Sequence, residues 1–268
     1  MFADLVHIEL IRITRSRFFL IGLLFLAVLF VYVNLVYPMT IYGALEKRDF
    51  IVEAEPLGDN PYGMQVIMYT LNTSLVSLFC MINTVFSTCD YYKYREFINI
   101  RGNVRSRSKI CIADMTGLLI QALCLSILPL IATVFASNYD SASILRDYPF
   151  AAALMYLTFA WSVFNSSILI YAVAKLFRRK TLTILTIPVI WFGAVSLIRW
   201  VVYTMRDIIR TDYTEVVAAI LYPTTYISDA MLGDGSFFGA AAAFVLAVVQ
   251  TVLFGTLAVL FSRRCENI

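Results

Sequence analysis

Long runs of apolar residues alternate with short polar segments along this chain. Six runs are near or above the roughly 20 residues that a helix needs to cross about 30 Å of hydrocarbon. Asp114 is a formal charge well inside one of them, and Arg199 lies toward the end of the fifth. The pattern predicts a single all-α integral membrane domain with six transmembrane helices, at about residues 18–37, 64–89, 110–137, 150–174, 181–203 and 236–262.

The polar segments differ in their content of Lys and Arg, and this difference predicts an orientation. Fifteen of the 21 basic residues fall in segments 1–17, 90–109 and 175–180 and in the tail after residue 262. The other three connections, at about 38–63, 138–149 and 199–235, hold six basic residues against twelve acidic ones. Because Lys and Arg are enriched in cytoplasmic loops, we expect a multi-pass protein of the cell membrane with both termini in the cytoplasm.

Residues 1–17 predict an interfacial amphipathic helix on the inner membrane surface. Arg12 and Arg15 lie off its apolar face, where we expect them to meet anionic headgroups. The alternative is a disordered start that leads into the first span. The apolar face has helical spacing and consists of Phe2, Val6, Leu10 and Ile13.

Composition excludes several classes of protein. Hydrophobic residues make up 60% of the chain and the mean hydropathy is +0.79, which is well above the globular norm of roughly 45–50% apolar residues. The five cysteines fall in spans or on the predicted cytoplasmic side, so no external disulfide is expected. His7 is the only histidine, and nucleophilic or haem chemistry usually needs histidine near its partner inside the bundle. A membrane-embedded enzyme is therefore the least favoured alternative.

The segment 90–109 combines aromatic residues with charges. Retention of orientation requires Lys and Arg, but it does not require Tyr91, Tyr92, Tyr94 and Phe97. Aromatic side chains beside charges on a short helix are typical of docking into a groove of another protein. The alternative is an interfacial aromatic belt with basic residues that reach the headgroups.

The segment 205–235 contains an apolar stretch, 216–222, that is too short to span and too apolar to lie in water. Pro223 and the run 233–235, which contains two glycines, interrupt it. This pattern predicts re-entrant external helices before the last span.

This layout resembles the permease subunit of an ATP-binding-cassette transporter of the type-2 export class. The resemblance covers the whole chain and is strongest at residues 96–107, where an acidic residue is followed by a glycine-containing turn and a Ser/Arg pair. In that family the corresponding loop holds the coupling helix that sits on the ATPase. The resemblance therefore implies ATPase-coupling contacts at Tyr91, Tyr94, Glu96, Phe97 and Arg101.

The resemblance also implies partners. The chain has no GxxxxGK[ST] motif, so we expect no cofactor in this chain, with ATP and Mg bound by separate ATP-binding-cassette ATPase subunits. A second permease chain, the same or paralogous, and the lipid bilayer are the other expected partners, and nucleic acid is not one.

The cargo is expected to be amphipathic or hydrophobic and to move outward, because the spans are apolar; a peptide such as a bacteriocin, a drug or a lipid would fit. The alternatives are a channel, or a membrane adaptor or immunity protein without ATP coupling. Polar side chains inside spans are costly and are therefore candidates for the cargo path, although they also serve as bonds between helices. These candidates are Asn72, Asn83, Asp114, Asn165 and Gln250.

Overall fold

The computed structural model describes residues 2–15, 17–32, 63–93, 107–137, 149–189 and 237–265. Within these ranges the chain is helical except at Arg178 and Arg179 and contains no strand, so the all-α prediction is confirmed for this part. The helices are α1 (Phe2–Arg15), α2 (Arg17–Val31), α3 (Gly63–Lys93), α4 (Arg107–Ser137), α5 (Pro149–Phe177), α6 (Lys180–Pro188) and α7 (Phe237–Cys265).

Two of the described helices are long and apolar enough to cross a membrane. Lys109–Ala132 in α4 provides 24 residues, and Ala152–Phe177 in α5 provides 26. The pair α1 and α2 gives a third candidate if its two helices form one bent span, with 61° between their axes. These helices identify a membrane protein.

The structure describes the other four predicted spans only in part or as helices of lower apolar character. α3 is 31 residues long, but Asn, Ser and Thr side chains lower its apolar character. α7 is 29 residues long, and within it Ala247–Ser262 is an apolar helical stretch. The predicted spans 18–37 and 181–203 continue past α2 and α6 into residues outside the described ranges. Residues 94–106 of the segment 90–109 and the whole segment 205–235 also lie outside these ranges.

α5 is the central helix of the described bundle and contacts α3, α4, α6 and α7. Its small and apolar side chains are buried on several sides, including Ala160 and Ile168 at 0% exposure. α2, in contrast, turns a broad apolar face outward, with Leu24 72% exposed. An exposed apolar face of this size in a membrane protein is expected to face lipid or a partner within the bilayer.

α1 packs against the start of α4, and its buried face differs from the predicted one. Of the predicted apolar face, Ile13 is buried within the bundle, whereas Phe2 is 45% exposed. Glu9, which lies one turn before Ile13, is buried with it. The close approach requires Gly117 of α4, because a Cβ atom there would lie 2.7 Å from Cγ of Glu9.

α6 reverses the chain after α5 and packs on α3. Arg178 makes the turn with a positive φ of 54°, and its amide donates to the carbonyl of Ala174 at 2.9 Å. Lys180, the first residue of α6, pairs with Asp90 near the end of α3 and lies over the ring of Phe86. The α5–α6 turn is thus tied to the end of α3 that precedes the segment 90–109.

Candidate functional site

Two of the predicted cargo-path residues bond to each other across the α5–α7 contact. Asn165 and Gln250 are 1% and 7% exposed, and Nδ2 of Asn165 donates to Oε1 of Gln250 at 3.0 Å and to the carbonyl of Ala247 at 2.9 Å. Thr251 donates to Oδ1 of Asn165 at 2.7 Å and receives the indole N–H of Trp161 at 2.6 Å. This arrangement is the interhelical bonding that buried amides commonly provide, and it occupies both side chains in the folded chain.

Several of the other buried hydroxyl groups bond within their own helix. Thr84 donates to the carbonyl of Cys80 at 2.7 Å, Thr158 to that of Leu154 at 2.8 Å, and Ser167 to that of Val163 at 2.9 Å. Such bonds to the preceding turn satisfy a hydroxyl without a ligand. Asn72 and Asn83, the remaining amide candidates, are fully buried in α3.

Asp114 has a different environment from the other candidates. It is 6% exposed, and Oδ2 accepts the Tyr171 hydroxyl at 2.7 Å and lies 3.7 Å from Nζ of Lys175. Lys109, the nearest basic residue before Asp114 in sequence, is exposed, and the hydrogen-bond and ion-pair partners of Asp114 come from α5 instead. Lys175, which the sequence pattern assigns to a polar connection, is 2% exposed within α5.

α1 brings two more charges to the same place. Arg12 donates to Oε1 of Glu9, and both interact electrostatically with Asp114. The prediction that Arg12 meets lipid headgroups is therefore wrong, since its side chain is 17% exposed and turns inward. Arg15 is exposed as predicted. We call the five residues that meet here the charge cluster: Glu9, Arg12, Asp114, Tyr171 and Lys175.

The charge cluster is electrically balanced when all four ionisable side chains carry their usual charges. Burial of a charge is unfavourable unless a partner compensates it, and each acid here lies beside a base. Burial nevertheless raises the pKa of the Glu9 carboxyl to about 7; Arg12 opposes this rise and Asp114 adds to it. Glu9 is thus a carboxyl group whose charge is sensitive to pH near neutrality.

The predicted ATPase-coupling residues lie largely beyond the described chain. Tyr91 belongs to the final turn of α3, and Tyr94, Glu96, Phe97 and Arg101 lie outside the described residues. The neighbouring Asp90–Lys180 pair fixes the end of α3 immediately before them. Their role in coupling remains a prediction of the sequence.

The apolar pattern does not single out Glu9, Tyr171 or Lys175. A signal for Glu9 is present, because an acidic residue stands on the predicted apolar face of α1 between Val6 and Ile13. Lys175 follows an uncharged run and is one turn after Tyr171, but its burial depends on α1 and α4, which local sequence does not reveal.

The charge cluster joins α1 to two long apolar helices, α4 and α5, through groups that are costly to separate. Within the described ranges no group of three or more His, Cys, Asp or Glu side chains could hold a metal ion. The arrangement is suited to holding α1 in a fixed position relative to α4 and α5, so that a movement of α1 would be transmitted to both helices. Comparison of the chain with protein-family models, with curated proteins and with solved structures found no match.

Proposed function

We propose that this chain is the membrane-spanning permease subunit of an ATP-driven exporter, with six spans and both termini in the cytoplasm. Its cargo is amphipathic or hydrophobic and moves outward. ATP hydrolysis takes place on separate ATPase subunits, and two permease chains form the translocating unit.

The observation that carries the proposal is the attachment of α1 to the bundle through buried charges. Glu9 and Arg12 come from α1, Asp114 from α4, and Lys175 from α5. Separation of such charges in a medium of low dielectric is strongly unfavourable, so a displacement of α1 at the membrane surface is carried to the ends of two spans. A subunit driven by an external motor needs a rigid connection of this kind.

A second contact supports the same function. The pair between Asp90 and Lys180 joins the end of α3 to the α5–α6 turn, next to the loop for which the sequence predicts ATPase docking. Lys180 also lies 4.8 Å from the centroid of the Phe86 ring. A force applied to the loop would therefore reach α3 and α5 together.

The ATPase-coupling assignment predicts the behaviour of a double variant, Tyr94→Ala with Phe97→Ala. We expect it to reach the membrane at the normal level but to lose the ATPase that copurifies with the unaltered chain, because two aromatic anchors of the docking surface are removed. Copurification from mild detergent, followed by ATP hydrolysis in proteoliposomes, measures both properties.

Phe150→Ala is the matched control, because Phe150 is 79% exposed and lies at the start of α5, on the predicted outer side. It should retain the ATPase. Undiminished copurification from the double variant would contradict the coupling assignment. A flux of small ions through the purified chain without ATP would instead favour the channel alternative.

A further inference from the structure

Glu9 interacts with charges from α1, α4 and α5, and α2 and α3 also pack on α1. Arg12 lies beside it on α1, Asp114 faces it from α4, and Lys175 faces it from α5, where the Tyr171 hydroxyl bonds to Asp114. Across the contact between α1 and α4, an ionised Glu9 therefore opposes another carboxylate. Arg12, on the same helix, is attracted to Asp114.

The packing around Glu9 allows little relaxation. Glu9 is 5% exposed, and its side chain fits against the bare backbone of Gly117, where even a methyl group would lie 2.7 Å from Cγ. An ionised Glu9 thus cannot turn to water while α1 stays in place. Loss of water around the carboxylate is the main cost of an ionised Glu9 here; Asp114 adds to this cost and the ion pair with Arg12 offsets part of it. Either a proton on Glu9 or a displacement of α1 removes the cost.

We propose that Glu9 is a proton-binding site and that its proton controls how tightly α1 docks on α4 and α5. The proton comes from water and adds to one carboxylate oxygen, and no other bond forms or breaks. Protonation removes the cost of burying the charge and the repulsion by Asp114, and it weakens the ion pair with Arg12, which then faces Asp114. Docking of α1 is a property of this chain alone, so the inference does not depend on the proposed ATPase.

The sign of the pH effect follows from the environment of the carboxyl group. In docked α1 the pKa of Glu9 is raised to about 7, whereas a solvated glutamate titrates near 4.5. The docked state therefore binds the proton more tightly than the undocked state, and docking is strongest at low pH. Docking weakens as the pH rises through about 7.

Hydrogen–deuterium exchange of the full chain in nanodiscs tests this inference directly. Between about pH 6 and about pH 8.5 we expect the protection of the α1 amides, corrected for intrinsic exchange, to fall roughly tenfold, the change that linkage gives for this shift. The amides of α5 provide an internal reference and should change by less than about twofold.

Glu9→Gln should remove the pH dependence, because the amide imitates the protonated acid at every pH. Glu9→Asp, which retains a titrating carboxyl group, should keep a pH dependence and serves if the amide variant folds poorly. Two exposed residues of α1 provide controls: Asp4→Asn removes an acid outside the charge cluster, and His7→Gln removes the other side chain whose type commonly titrates in this range.

Unchanged α1 protection in the unaltered chain would overturn the inference. So would a full pH response in Glu9→Gln, loss of the response in His7→Gln, or an equal loss of protection in α5. Failure to copurify an ATPase would contradict the proposed function but would leave this exchange result intact.

Discussion

At the scale of single residues, the charge cluster shows how burial changes the contribution of a charged side chain to stability. Lys175 and Asp114 are 2% and 6% exposed, and Lys175 also lies 5.0 Å from the centroid of the Tyr171 ring. A buried pair is often no more stabilising than apolar residues of the same volume, but removal of one partner leaves a charge without compensation. Variants that remove one partner or both partners of the pair can distinguish these two effects.

Lys175→Met is expected to destabilise the folded chain by about 3–5 kcal/mol, because the buried Asp114 then loses the cation that α5 supplies 3.7 Å away. The double variant Lys175→Met with Asp114→Asn should recover much of this loss, since no unpaired charge remains. Thermal unfolding in detergent micelles measures both effects. Arg179→Met, at an exposed neighbouring position, should change the stability by less than about 0.5 kcal/mol. Equal stability of the single and double variants would contradict this account of the pair.

At the scale of elements, α1 is the helix whose surroundings the structure changes most. Its amphipathic pattern predicts a helix that lies on lipid, and its outward residues Ile8 and Ile11 remain exposed. The opposite face, however, rests on α4 instead of on lipid, because Gly117 removes the side chain that would keep the two helices apart. The close packing of α1 on α4 therefore depends on the glycine at position 117.

Gly117→Ala is expected to loosen α1 in the unaltered background, because its methyl group would overlap Cγ of Glu9 at 2.7 Å. In a Glu9→Ala background the same substitution should have little effect, since Cγ is absent. Exchange protection of α1, measured at one pH, compares the four variants. Gly255→Ala is the control, because its Cβ would meet only the flexible end of Met115 at 3.1 Å. An equal loss in both backgrounds would place the clash elsewhere.

At the scale of the whole molecule, orientation determines which face of the protein can meet an ATPase. The charge cluster, the Asp90–Lys180 pair and the α5–α6 turn all involve helix ends that carry basic residues. The distribution of Lys and Arg predicts that these ends face the cytoplasm.

The predicted orientation can be measured by cysteine labelling in a background without the five native cysteines. Asn103→Cys should resist a membrane-impermeant maleimide in intact cells and react after permeabilisation, because its loop is predicted to be cytoplasmic. Asp140→Cys, in a predicted external segment, should react in intact cells. Labelling of Asn103→Cys in intact cells would show that this loop is external. A cytoplasmic ATPase could then not bind it, and the proposed function would be contradicted.

Part of the candidate site could be predicted from the sequence. Asp114 stands out as a charge within an apolar run, and Asn165 and Gln250 stand out as amides within spans. The roles of these residues could not be assigned from their types, because an amide that lines a cargo path and an amide that joins two helices look the same in sequence. The 3.0 Å bond between Asn165 and Gln250 shows that these two amides join α5 to α7, and their place in a cargo path stays a prediction of the sequence.

The sequence by itself determined the class of the protein and the character of its helices, because apolar runs of this length are stable only when they are removed from water. Only the tertiary structure decided the partners of Asp114 and the burial of Glu9. Lys175 follows Asp114 by 61 positions and Glu9 precedes it by 105, and no local periodicity relates residues so far apart. Their pairing follows from the packing of α1, α4 and α5, which depends on side-chain shape across the contacts and on the absence of a side chain at Gly117.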